Sequence, residues 1–248
     1  MPARTPGNEI PDYPSDSLHL EQKHVGAIGN ERLTALVSLV LLVLIIVELV
    51  TSAFLRIWLP VHTVVGVLLA GPLLVKMGST SWRFLRYYTR APAYVRRGPP
   101  PLVLRVLGPV LLVTTLVMVG SGIGLVVTGP LQPLLLLHVF SALVWLPLMA
   151  LHSLAHLRQV PRNIASDWSS RLGSRSRRGR GLRLVANLGA LLLGVIAAVL
   201  LFPAATSLFA WSQTHVIGVG PFLVGMGGAL LVTLFTKPWR WRRLAQEV

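Results

Sequence analysis

Apolar residues in this 248-residue chain are gathered into long runs that short polar segments separate. Six of these runs are long enough to be membrane-spanning helices, since a helix needs about 20 residues to cross a hydrocarbon core. They cover residues 33–55, 57–77, 102–127, 132–157, 182–203 and 216–236. The pattern therefore predicts an all-α, polytopic membrane protein with six spans.

The composition agrees with this interpretation. Hydrophobic residues make up 53% of the chain and charged residues only 12%, whereas a soluble domain has about 25% charged residues. The mean hydropathy is +0.68. The net charge of +15 is concentrated at the ends of the apolar runs. This placement favours contact with anionic lipid headgroups over nucleic-acid binding.

Positive charge also predicts the orientation in the membrane. The segments 78–101, 158–181 and 237–248 are rich in arginine, while 128–131 and 204–215 contain no lysine or arginine. Because basic loops stay on the cytoplasmic side, both termini are expected in the cytoplasm. We expect the chain to be a multi-pass protein of the inner (plasma) membrane.

The same pattern divides the chain into five parts. Residues 1–30 are polar and are expected to form a disordered cytoplasmic tail. A four-helix bundle over 31–157 is expected next, followed by a basic cytoplasmic loop over 158–181. A transmembrane hairpin over 182–236 and a basic cytoplasmic tail over 237–248 complete the prediction.

Two histidines occupy matching places in predicted spans, where ionisable residues are costly and usually functional. His62 and His138 lie near the starts of the second and fourth helices, which run in the same direction. By helix rise, both lie roughly 8–9 Å below the outer boundary. Two imidazoles at one depth on facing helices can hold a haem iron from both sides. The sequence therefore predicts a b-type haem with His62 and His138 as its ligands, held non-covalently because cysteine is absent.

A second pair of histidines lies further along the fourth helix. His152 and His156 share the face of His138, because 14 and 18 residues are close to four and five helical turns. The spacing allows a second haem, but the second helix offers Lys76 where a fourth histidine would be needed. One haem is therefore favoured over two. The spacing of His152 and His156 also suits a zinc or copper site.

Three further residues complete the predicted site. Gly66 lies one turn after His62 and leaves room for a flat macrocycle. Trp145 follows His138 by two turns, so it packs either on that macrocycle or in the helix core. Glu48 is the acidic residue that lies well inside a span. It is expected either to accept a proton from a quinol or to hydrogen-bond a neighbouring helix.

The residues around the histidines resemble those of a known family. The pattern H-T-V-V-G at 62–66, L-H-V-F-S-A-L-V-W at 137–145 and H-S-L-A-H at 152–156 is similar to bacterial membrane cytochromes b. These are di-haem four-helix bundles that serve as quinone-linked subunits of hydrogenases, formate dehydrogenases and molybdenum oxidoreductases. The resemblance covers roughly residues 33–157, and the segment 76–88 looks like a loop of actinobacterial members.

This resemblance implies a function and its partners. It implies haem b as the cofactor, quinone as a partner, and an extracytoplasmic oxidoreductase subunit as the second redox partner. The family often carries two histidines on one helix, as His138 and His152 are here, whereas the residue at 76 departs from its pattern. The chain is then expected to transfer electrons as a subunit of an oxidoreductase, not as a complete enzyme.

Two other classes stay open at this point. One is a membrane transporter or metal-ion permease that uses His152, His156 and Glu48, and the other is a structural subunit without a cofactor. Trp211 is typical of an interfacial aromatic residue, and His215 beside it is a candidate contact for a quinone or a partner. The chain contains no phosphate-binding loop, hydrolase motif or dinucleotide fingerprint, so these chemistries have no support.

Overall fold

All regular structure in the described part of the chain is helical. The computed structural model describes residues 15–95, 102–156, 180–215 and 218–238. The helices are α1 (Ser15–Ala53), α2 (Leu55–Tyr88), α3 (Pro92–Val95), α4 (Leu102–Thr128), α5 (Gln132–His156), α6 (Arg180–Leu201), α7 (Thr206–Thr214) and α8 (Gly220–Thr236), with a 3₁₀ turn at Phe202–Ala205. The predicted all-α class is confirmed for these residues.

Among the described residues, five helical segments are long and apolar enough to cross a membrane. They are Arg32–Ala53, Leu55–Tyr88, Leu102–Thr128, Gln132–His156 and Gly181–Thr214. These segments confirm the prediction of a helical membrane protein. The sixth predicted span corresponds to α8, whose 17 residues extend about 26 Å, slightly less than a hydrocarbon core of ~30 Å. The sixth span and the orientation stay predictions.

Two helices extend well beyond the apolar runs that predicted them. α1 begins at Ser15, so the stretch 15–30 is helical, although it was expected within a disordered tail. α2 continues to Tyr88, past the predicted end at 77. Neither extension contains a proline, so nothing in the backbone stops the helix where the apolar run ends. The apolar run indicates only the part of the helix that lies in the membrane.

Several predicted polar segments lie outside the described residues. They are the start of the tail, most of the basic loop 158–181, the last part of the 78–101 loop and most of the C-terminal tail, namely residues 1–14, 96–101, 157–179 and 239–248. The orientation prediction therefore depends on their sequence alone.

The bundle is built from two helical hairpins, α1–α2 and α4–α5. Phe54 alone separates α1 from α2. Gly129 ends α4 with φ +82°, and its N–H donates to the carbonyl oxygen of Leu125 at 3.0 Å. This left-handed conformation costs glycine little, and a proline follows it, as at many helix ends. Both turns lie at one end of the bundle, which we call the turn end.

Buried apolar side chains of both hairpins form a common core, and α6 packs beside it. The core cluster contains Val37, Leu41, Ile45, Leu69 and Trp145. A Cβ atom at Gly71 would clash with the carbonyl of Ala190, and one at Gly194 with the carbonyl of Leu68. Glycines thus allow the backbones of α2 and α6 to approach closely, as small residues do between membrane helices.

Candidate functional site

His62 and His138 meet between the two hairpins, near the turn end. Their ring centres lie 6.4 Å apart, and their ring planes are inclined by 79°. α2 and α5, which carry them, are not among the helix pairs that pack closely over several residues. Because metal–imidazole bonds are about 2 Å long, two rings on opposite sides of one metal ion have centres about 6 Å apart. The observed spacing therefore suits two axial ligands of one iron.

The ring of His138 is held by α4. Its Nδ1 atom donates a hydrogen bond to the carbonyl oxygen of Met118 at 2.9 Å, and the Ser121 hydroxyl lies 3.4 Å from the same atom. Since a carbonyl oxygen only accepts, this contact places the proton on Nδ1 and leaves the lone pair on Nε2. Gly122 makes room for the ring, because a Cβ there would lie 3.0 Å from Cε1 of His138.

The ring of His62 contacts α1. Its Nδ1 atom lies 2.5 Å from Oε2 of Glu48 and 3.4 Å from the hydroxyls of Thr51 and Ser52. Within the described residues, no hydrogen bond involves Nε2 of His62 or of His138. Each ring therefore makes its polar contacts with its own hairpin through Nδ1.

The sequence predicts the depth of Glu48 in the membrane but not its contact with His62. Its side chain is 13% exposed and that of His62 is 24% exposed, but both carboxylate oxygens are buried. Oε2 lies in close contact with Nδ1 of His62, but the geometry is not that of a hydrogen bond, and neither carboxylate oxygen has a hydrogen-bond partner among the described residues. Gly66, expected beside a macrocycle, borders Glu48, since a Cβ there would lie 3.3 Å from Oε1.

A signal for the contact between Glu48 and His62 is present in the sequence. The two residues lie at similar distances on either side of the turn at Phe54, and such residues face each other in an antiparallel hairpin. Their positions in the predicted spans give Glu48 and His62 a similar depth but do not show that the two side chains meet. No feature of the sequence predicts the hydrogen bond from His138 to the carbonyl of Met118, because every residue carries a backbone carbonyl.

Trp145 lies deeper in the bundle than the two histidines. Its side chain is buried, and its Nε1 atom donates to the hydroxyl of Thr115 at 2.8 Å. It belongs to the buried cluster of the common core, together with Leu41 and Ile45. Its predicted contact with a macrocycle stays a prediction, while its packing in the helix core is observed.

The structure does not bring His152 and His156 to this site. Their ring centres lie 4.7 Å apart on the last turns of α5, and by helix rise they are about 21 and 27 Å along the helix from His138. In the part of the chain that the structure describes, no group of three or more histidine, aspartate or glutamate side chains could hold a metal ion. Among the described residues, a bare zinc or copper ion there would meet these two imidazoles and no third histidine, aspartate or glutamate side chain.

Lys76, which occupies the place expected of a fourth histidine, joins a polar network far from the turn end. Its Nζ atom donates to the hydroxyl of Ser38 at 2.6 Å. Nearby, the Thr34 hydroxyl donates to that of Ser79 at 3.0 Å, and the Asn30 amide donates to the backbone oxygen of Ser79 at 3.0 Å. These contacts connect α1 to α2 and leave Lys76 engaged with α1.

Trp211 and His215 form a separate pair at the end of α7. Their rings stack with centres 4.5 Å apart and an interplanar angle of 20°. Nδ1 of His215 lies 3.0 Å from the backbone oxygen of Trp211. The pair is local to one helix end, and a contact of His215 with a quinone or partner stays a prediction.

Comparisons with protein-family models, with curated proteins and with solved structures found no match to this chain. The resemblance to membrane cytochromes b therefore stays a proposal that depends on the short motifs. Since one helical architecture hosts many unrelated functions, only the geometry and chemistry of the site can indicate the function of this chain.

Proposed function

We propose that this chain is a membrane b-type cytochrome in which His62 and His138 would hold one haem. The observation that supports this most strongly is the 6.4 Å separation of the two rings, each held through Nδ1 by its own hairpin. A protein partner on the second ring nitrogen is typical of metal-binding histidines. When bound, the haem would supply reversible one-electron transfer.

The chain's own task in this proposal is to position the ligands and limit the access of water. The carbonyl of Met118 and the carboxylate of Glu48 fix the rotation of the two rings. Gly122 has no side chain, which leaves space for the ring of His138. The apolar core that contains Trp145 closes the site toward the interior of the bundle. Such fixed, poorly hydrated surroundings tune the potential of a haem protein.

We further propose that the chain transfers electrons between the quinone pool and an extracytoplasmic oxidoreductase subunit. The ligands lie near the turn end, and the basic segments predict that this end faces the outside of the inner membrane. A depth of roughly 8–9 Å by helix rise keeps the site close to an external partner. The chain would then act as one subunit of a larger oxidoreductase.

The alternative of a transporter or metal-ion permease has less support. Its three candidate residues are separated, because Glu48 lies against His62 at the turn end while His152 and His156 lie at the other end of α5. A bare ion usually takes three or four protein ligands. Iron in a porphyrin needs only two from the protein, which is what His62 and His138 offer.

A reduced-minus-oxidised spectrum and a pyridine haemochrome assay of the purified full chain test this proposal. We expect a b-type α-band and one haem per chain, because Lys76 and not a histidine follows His62 toward the other end of α2. A spectrum without a haem band would overturn the proposed function. Two haems per chain would overturn the stoichiometry and would assign ligand roles to His152 or His156.

A further inference from the structure

We infer that Glu48 is a positioning residue for His62: its carboxylate faces Nδ1 of this proposed haem ligand, fixes the orientation of the ring and makes the imidazole a stronger electron donor to the iron. The inference rests on the proposed function, because it assigns Glu48 a role toward a haem ligand. It replaces the proton-accepting role toward a quinol that the depth of Glu48 suggested.

The contacts identify the carboxylate as the main partner of His62. Oε2 of Glu48 is 2.5 Å from Nδ1, whereas the hydroxyls of Thr51 and Ser52 are 3.4 Å away. The Thr51 hydroxyl also donates to the backbone oxygen of Glu48 at 3.0 Å, so its proton is directed away from the ring. The ring proton of His62 therefore has the carboxylate as its closest acceptor.

Burial connects the two residues energetically. Both carboxylate oxygens of Glu48 are buried, and His62 is the partner that reaches them within the described residues. A buried charge is strongly destabilising when it has no partner. Oxygens that are shielded in this way are also poorly placed to meet a quinol that arrives from the lipid. The burial therefore favours a role toward His62 over a role toward a diffusing substrate.

The backbone keeps the pair together. The turn at Phe54 is one residue long, so the first turns of α2 lie directly beside the last turns of α1. Gly66 has no side chain where Oε1 of Glu48 lies, and a Cβ there would be 3.3 Å from that oxygen. The position of the carboxylate is thus set by the hairpin and by the small residue that faces it.

A carboxylate on the second ring nitrogen makes an imidazole a more basic ligand, and a more basic ligand stabilises oxidised iron. In Glu48→Gln the amide oxygen can still accept the Nδ1 proton, but the negative charge is gone. We expect an approximately tenfold shift of the redox equilibrium toward the reduced form, which is 59 mV for a one-electron couple. In Glu48→Leu the carboxylate is gone and only the more distant hydroxyls of Thr51 and Ser52 remain near Nδ1, so we expect about tenfold weaker haem retention.

The test is a potentiometric titration and low-temperature EPR of the full chain in lipid nanodiscs, with Ser38→Ala as the matched control. Ser38 also lies on α1 and contacts α2, but through Lys76 at the far end of the hairpin. We expect Ser38→Ala to keep the wild-type potential and EPR signal, and both Glu48 variants to change as described. Should Glu48→Gln fail to accumulate, Glu48→Asp, whose shorter side chain cannot reach Nδ1, is expected to shift the EPR signal.

Failure of the inference is distinct from failure of the proposed function. A wild-type chain without a bis-His haem would overturn both. A wild-type chain with that haem, together with wild-type potential and EPR signal in the Glu48 variants, would overturn the inference alone. An equal shift in Ser38→Ala would also overturn it, because a general weakening of the α1–α2 hairpin would then explain the effect.

Discussion

A histidine has two ring nitrogens, and among the described residues the polar contacts of this site reach only one nitrogen of each ring. Nδ1 of His138 donates to Met118, and Nδ1 of His62 faces Glu48. For His138 the partner fixes the tautomer, because a carbonyl oxygen accepts a proton and offers none. In the proposed function, Nε2 of each ring would bind the metal.

At the residue scale, the first prediction concerns Gly122. In Gly122→Ala the new Cβ would lie 3.0 Å from Cε1 of His138, so the ring must move and its ligand geometry must change. We expect a weakened or shifted haem band in the optical spectrum. Gly120→Ala is the control on the same helix, since a Cβ there meets nothing within 4 Å. Equal spectra for the two variants would contradict the role of Gly122.

The sequence identifies the ligands better than their surroundings. His62 and His138 stand out because ionisable residues are rare in apolar runs and because the two share a depth. The contact of Glu48 with His62 also depends on how each helix is rotated, which the weak amphipathic pattern of these apolar helices does not define. The site role of Gly122 was equally hidden, because a glycine in a membrane helix usually indicates close helix packing.

At the scale of the elements, the apolar runs located the helices but not their ends or their neighbours. α2 continues 11 residues beyond the predicted end at 77, to Tyr88. The neighbours of α2 follow from three-dimensional packing, where Gly71 and Gly194 bring α6 within backbone contact. Glycines occur at many other helical positions of this chain, so the sequence does not show which of them pack.

The second prediction follows from this packing. Gly71→Ala would place a Cβ against the carbonyl of Ala190, and we expect it to lower the free energy of unfolding by about 1–3 kcal/mol, as overpacking does. Gly189→Ala, whose Cβ would meet nothing within 4 Å, is the matched control and should be neutral or slightly stabilising. Thermal unfolding in detergent measures both. Equal melting temperatures would contradict the close approach of α2 and α6.

At the scale of the whole molecule, loop charge predicts the orientation in the membrane, which the helices themselves do not show. Five helices are long and apolar enough to span a membrane, and the two hairpins place their turns at one end. The direction in which this end faces depends on the arginine-rich segments 78–101 and 158–181. The positive-inside rule then places the turn end outside the cytoplasm.

The third prediction tests this orientation. The chain has no cysteine, so single cysteines can be labelled without a background signal. In intact cells an impermeant maleimide should label Leu131→Cys, which lies exposed at the turn after α4. It should label Ser174→Cys and Glu247→Cys only after lysis. Labelling of Ser174→Cys in intact cells would show that the orientation is the reverse of the predicted one. Labelling of Glu247→Cys but not of Ser174→Cys in intact cells would show that α8 does not span the membrane.

The central claim, that His62 and His138 hold one haem, is tested most directly by EPR and optical spectra of four alanine variants in membranes at matched protein levels. We predict that His62→Ala and His138→Ala each abolish the same low-spin signal, because each removes one axial ligand. We predict that His152→Ala and His156→Ala keep it, because they lie about 21 and 27 Å along α5 from His138. A full low-spin bis-His signal in His62→Ala or His138→Ala would contradict the claim.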